Sequence, residues 1–173
     1  MREAVQRLVQ EGLAISVPHR GAMVARIGGE DLQALYEVRE VLEGLAARRA
    51  TKRLDSTVRS ALLSLIEQHR KALEREDLAG HVRLDMRFHL QIRELAGNQP
   101  LAEMLNRLQG QVRLAMHSLW GRDGAPQRAL EDHEKILAAL LSSDPDAAEK
   151  EARAHITRVR TDLARHMKQE EKS

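Results

Sequence analysis

The 173 residues contain no cysteine. That excludes a disulfide scaffold, a thiolate metal site, an iron–sulfur cluster and a cysteine nucleophile. Aromatics are nearly as scarce: Tyr36, Phe88 and Trp120 are the whole set. A core built from this chain must therefore be aliphatic. Four prolines and ten glycines are few. No apolar run approaches the roughly 18 residues a transmembrane helix needs. The charged start, MREAVQRLVQEG, lacks the apolar region of a signal peptide. The expectation is a soluble cytoplasmic protein with no membrane partner. Disorder is excluded, because 42% of the residues are hydrophobic and the net charge is only +2.

What is present favours helix: Ala, Leu, Glu and Arg dominate, and β-branched residues are sparse. Strand character is confined to residues 13–17 and 22–27. They flank Pro18-His19-Arg20-Gly21, a loop that reads as a β-hairpin connection. A short helix over residues 1–11 precedes them. From residue 30 onward six helices are predicted, with Asp55-Ser56 and Asp77 as N-terminal caps. Ala96-Gly97-Asn98 is a helix end, and Pro100, Pro126 and Pro145 sit at helix starts. The stripe Leu32, Leu35, Val38, Val41, Leu42 and Leu45 is the expected buried face of the first of the six. The fold class is thus all-α: an antiparallel bundle of about six helices over 30–168, behind a helix–hairpin piece at 1–27. The formal charge excess lies wholly in residues 1–26, where Arg2, Arg7, Arg20 and Arg26 face Glu3 and Glu11.

Asp85 and His89 are four apart on one predicted helix and so share a face. His133 and His155 fall on the last two helices. In a bundle these four could converge on a divalent ion, with zinc, nickel, manganese and iron all compatible with three imidazoles and a carboxylate. Spacing alone leaves a structural or surface role open. The apolar neighbours Phe88, Ile136 and Ile156 suggest inward faces, where a polar group needs a partner. His69, His81, His117 and His166 sit among polar residues and read as surface, with a cavity beside Trp120 as the other reading of His117. Arg39, close to an apolar stripe, either reaches out to solvent or anchors an anionic ligand. No G-x-S-x-G, Gly-rich phosphate loop or H-E-x-x-H is present. A metal-dependent hydrolase is one alternative; it needs a general base near the open side, and Glu131 and Glu134 flank His133 but helix geometry points them elsewhere. A metal-free structural dimerisation bundle is the other alternative.

Several segments, in order, resemble the GntR-type bacterial transcription regulators of the FadR-like branch. Arg2–Leu13 is similar to the recognition helix of their winged-helix domain and its Glu-Gly-Leu exit. Pro18–Val24 is similar to the wing. Tyr36–Glu43, Asp85-Met86-Arg87-Phe88-His89, Ala96-Gly97-Asn98, Asp132–Ile136 and His155 follow the pattern of the ligand-sensing FCD domain. The resemblance implies a divalent metal on Asp85, His89, His133 and His155, and a small organic acid effector at that metal with Arg39 lining its pocket. It also implies a homodimer bound to operator DNA. Arg2 and Arg7 would contact DNA from the helix, and His19 and Arg20 from the wing. Arg7 is equally read as a surface charge paired with Glu3 or Glu11. The family carries two helices ahead of the recognition helix. Residues 1–27 therefore match only part of a winged helix, and weak operator binding is expected of this chain.

Overall fold

A computed structural model describes residues 2–10, 13–17, 21–25, 29–119 and 124–170. Its elements run α1 (Arg2–Gln10), β1 (Ala14–Val17), β2 (Gly21–Val24), α2 (Gly29–Ala50), a 3-10 turn (Thr51–Arg53), α3 (Ser56–Glu74), α4 (Leu78–Leu95), α5 (Gln99–Leu119), α6 (Ala125–Leu141) and α7 (Pro145–Glu170). The expected hairpin and the six bundle helices are all there. No helix among the described residues is long and apolar enough to cross a membrane.

Local chemistry sets the boundaries. The Asp55 carboxylate accepts from the Val58 backbone N–H at 2.8 Å, and the Asp77 carboxylate from Gly80 at 2.8 Å. Asp144 accepts from Asp146 and Ala147, both at 3.0 Å, opening α7 behind Pro145. Each satisfies backbone donors that a helix start leaves unpaired. Gly97 ends α4 at φ +56°, in the left-handed region where a side chain is strained.

α2 and α7 lie antiparallel along their length. Glu40 accepts from Arg153 at 3.1 Å and from Thr157 at 3.0 Å, while Arg48 reaches Asp146 and Glu149 near the opposite end. At Gly44 a Cβ would stand 2.6 Å from the Arg153 Cγ, so the missing side chain permits this approach.

Two apolar clusters result. The larger joins α2, α3, α4, α5, α6 and α7 around Phe88, Leu62, Ile136 and Leu140. The smaller holds Leu32, Leu35, Tyr36, Val112, Ile156, Val159 and Leu163 from α2, α5 and α7. The N-terminal piece touches the bundle through Leu13, whose side chain lies 2.9 Å from where a Cβ at Gly110 of α5 would stand. Its hairpin pairs Ala14 with Val24 and Val17 with Gly21.

The stripe expected on α2 is displaced. Val38 and Val41 are each 53% exposed. The buried face instead runs through Leu32, Leu35, Tyr36, Arg39, Glu43, Gly44, Ala46, Ala47 and Ala50. Periodicity favoured the larger apolar residues, whereas packing buried small residues against α7 and polar ones toward the interior. The surface assignment of three histidines also fails: His69, His81 and His166 are 1%, 1% and 3% exposed. Polar sequence neighbours misled, because on a helix they occupy other faces. The side chain of His117 lies outside the described residues.

Candidate metal centre

Three helices bring Asp85, His89, His133 and His155 together. α4 supplies the first two one turn apart, α6 supplies His133 and α7 supplies His155. One ligand atom from each lies within 4.8 Å of every other, and all four residues are buried. Ligand atoms held about 2.1 Å from one ion stand about 3–4 Å apart, so the cluster is near the size of a coordination sphere. The His133 Nε2 lies 3.5 Å from the Asp85 carboxylate. The rings of His89 and His155 stack with centroids 5.2 Å apart, and His133 meets both edge-on, at 5.1 and 4.9 Å. Phe88 stacks on His133 at 4.3 Å.

The partners of these imidazoles are informative. The Asp132 carboxylate faces the His155 Nδ1 at 3.2 Å and accepts from Arg158 at 2.5 Å. Glu43 lies 3.6 Å from the His89 Nδ1. Both outer carboxylates address Nδ1, which turns Nε2 toward the cluster, the arrangement that orients metal-bound histidines. The His89 Nε2 and both ring nitrogens of His133 are buried with no hydrogen-bond partner. Such orphaned nitrogens are costly in a bundle interior, and a shared cation would satisfy the His89 Nε2 and one nitrogen of His133. The donor set therefore fits a divalent metal of borderline hardness.

Electrostatics agree. Burial, with His155 and His89 as repelling neighbours, drives the His133 imidazole well below its ordinary value. Burial likewise pushes His155 down to about 4, outweighing the opposing bond to Asp132. Burial alone would raise Asp85, but the neighbouring His89, His155, His81 and Arg39 hold it low. In the apo cluster at neutral pH His133 and His155 are thus neutral and Asp85 is a carboxylate, the protonation states in which these groups ligate a metal.

Arg39 is 3% exposed, so it does not reach solvent. Its Nε donates to Glu43 at 3.4 Å, and its guanidinium carbon sits 5.4 Å from the Tyr36 ring centroid. Arg93 donates to the same Glu43 oxygen at 2.5 Å. Burial would raise Glu43, but Arg93, His89 and Arg39 keep it well below its ordinary value. Beside the cluster, the His69 Nε2 meets the His81 Nδ1 at 2.5 Å. Glu131 is exposed, and Glu134 accepts from Arg70 at 2.6 Å on the surface. Neither lies with the cluster. Arg2, Arg7, His19 and Arg20 fall outside the described side chains.

Sequence reasoning missed Asp132, Glu43 and Arg93. Asp132 precedes a candidate ligand and Glu43 lies one turn after Arg39. Nothing in the sequence pairs either with a particular histidine.

A buried three-histidine, one-carboxylate cluster in an antiparallel helical bundle defines the class: an all-α domain whose interior gathers side chains able to hold a metal, attached to a helix–hairpin piece. The FCD domain family model matches residues 34–158, and the chain belongs to that family. Its curated relatives are HTH-type transcriptional regulators. It is 27% identical over 170 residues to the HTH-type transcriptional repressor RspR of Escherichia coli, covering 98% of this chain and 74% of RspR. It is 28% identical over 151 residues to LutR of Bacillus subtilis, covering 84% of this chain and 67% of LutR. Among solved structures, E. coli McbR/YncC superposes with a TM-score of 0.84 at 24% identity, over 91% of this chain and 80% of that one. A metal-free FCD domain, that of TM0439, superposes with a TM-score of 0.70 at 12% identity, over 84% and 99%.

Proposed function

We propose that this regulator senses a small organic acid through a metal held by Asp85, His89, His133 and His155. The observation that carries the reading is the buried cluster whose His89 and His133 nitrogens lack partners. A divalent zinc, nickel, manganese or iron ion there would act as a Lewis acid with positions left for a chelating carboxylate. Arg39 stands ready beside Asp85 as the cation that orients the effector's carboxylate. Residues 30–168 form the sensing domain. Residues 1–27 form the part of the winged helix that meets DNA, with Arg2 and Arg7 on α1 and His19 and Arg20 in the wing. A homodimer reading a palindromic operator follows from that arrangement.

Plasma-emission metal analysis of untagged protein, with native mass spectrometry for a co-purified acid, tests the proposal. About one metal per chain is expected in the parent and in His166→Ala, and little in His133→Ala or His155→Ala. Equal metal content in all of them refutes the ligand assignment.

A further inference from the structure

An open cleft of about 630 Å³ lies between α4 and α5, within the size range of small-molecule sites. Its apolar wall is a single stripe of α4, where Val82, Met86 and Leu90 recur at four-residue spacing. Leu90 is 42% exposed, so that wall is open to a ligand. Four of the nine lining residues are arginines and none is acidic. Arg83 has Asp77 at 3.8 Å, whereas Arg87 and Arg113 have no ion pair among the described residues. The fourth, Arg93, is 3% exposed. It donates to Gln109 at 2.7 Å and to Glu43 at 2.5 Å, and its Nε has no partner.

An apolar wall, unpaired cationic rims and a buried guanidinium with a spare donor complement one chemistry: an anionic head on an apolar body. We propose that the α4/α5 cleft is a second ligand site, for an amphipathic monoanion such as a carboxylate with an alkyl or aryl tail. Arg93 ties this site to the metal cluster. The Glu43 oxygen that accepts from Arg93 also faces the His89 Nδ1 at 3.6 Å. A carboxylate competing for Arg93 changes what Glu43 offers His89. Occupancy of the cleft and metal affinity are therefore coupled, and the coupling is reciprocal. The coupling rests on the metal reading above; the cleft itself does not.

Decanoate is the probe, titrated by calorimetry into chelator-treated protein so that the cleft is tested without metal. One site per chain is expected. Arg87→Ala with Arg113→Ala should weaken it roughly tenfold or more, as loss of charge-assisted contacts does. Leu90→Glu should abolish binding, and Arg59→Ala, exposed on α3, should leave it unchanged. Decylammonium should not bind. Equal decanoate affinity across the variants, or no binding to the parent, overturns the site. So does a Leu90→Glu variant that merely halves the molecular mass in solution, which would assign the cleft to a second copy. In a separate arm, saturating decanoate should shift zinc affinity in the parent but not in Arg93→Gln. An unchanged zinc affinity removes the coupling, and absence of zinc binding removes the metal reading while the chelated titration still decides the cleft.

Discussion

Replacing His133 with leucine should stabilise the metal-free protein and abolish its response to metal. His133 is fully buried, and both of its ring nitrogens lack a hydrogen-bond partner. Each unsatisfied buried polar atom costs about 1–3 kcal/mol. Leucine has similar volume and keeps an apolar contact with Phe88, now stacked on the imidazole at 4.3 Å. Allowing about 1 kcal/mol for imperfect repacking, a net gain of at least about 1 kcal/mol remains. For a domain of this size that is a Tm rise of at least about 2–4 °C in chelator. The parent should behave oppositely on adding metal: at about 100 times Kd, binding contributes about 2.7 kcal/mol, a rise of roughly 5–10 °C. The variant should show none of it. Differential scanning calorimetry of both proteins, with chelator and with zinc, reads all four values. The expected pattern is a crossing, with the variant ahead in chelator and the parent ahead in zinc. A variant that melts several degrees below the parent in chelator would refute the orphaned-nitrogen argument. A variant that keeps the zinc-induced rise would refute the ligand assignment.

Asp132→Asn should weaken metal binding by about 10–100-fold with the four ligands intact, because the His155 Nδ1 loses its carboxylate; a competition titration with a chromogenic chelator measures it. Glu43→Gln should destabilise the fold by about 3–5 kcal/mol, since Arg93 and Arg39 would both stay buried without their shared anion; urea unfolding followed by circular dichroism checks it. Burial holds His69 and His155 at about 4 in the folded state. Below about pH 6.5 the unfolded chain therefore takes up protons that the native state refuses, and apo stability should fall steadily as pH drops from 6.5 toward 4. Denaturation midpoints at several pH values in chelator read that slope, and His69→Leu should flatten it. Gly97→Ala should cost about 1–2 kcal/mol because φ is +56°, visible as a lower Tm.

Much of this protein was legible along the chain. Helix boundaries depend on short-range chemistry: Asp55 and Asp77 cap because the donors they satisfy are three residues away, and Gly97 stops α4 because of its own backbone. The β1–β2 hairpin was marked by its β-branched runs. The Asp85–His89 pair was visible because four residues make one helical turn. Apolar neighbours made His133 and His155 candidates beside it, and family resemblance made the four a ligand set. Tertiary structure decided the rest, because it depends on which faces meet. Val38 and Val41 look like core and are exposed, while the charged Arg39 and Glu43 are buried. Their place is set by α7 along one side of α2 and by Arg93 opposite, residues 50 or more positions away. The Asp132–His155 contact spans 23 residues and the Glu43–Arg93 contact spans 50. No local rule connects such pairs, and only the packing of one helix on another made a site of them.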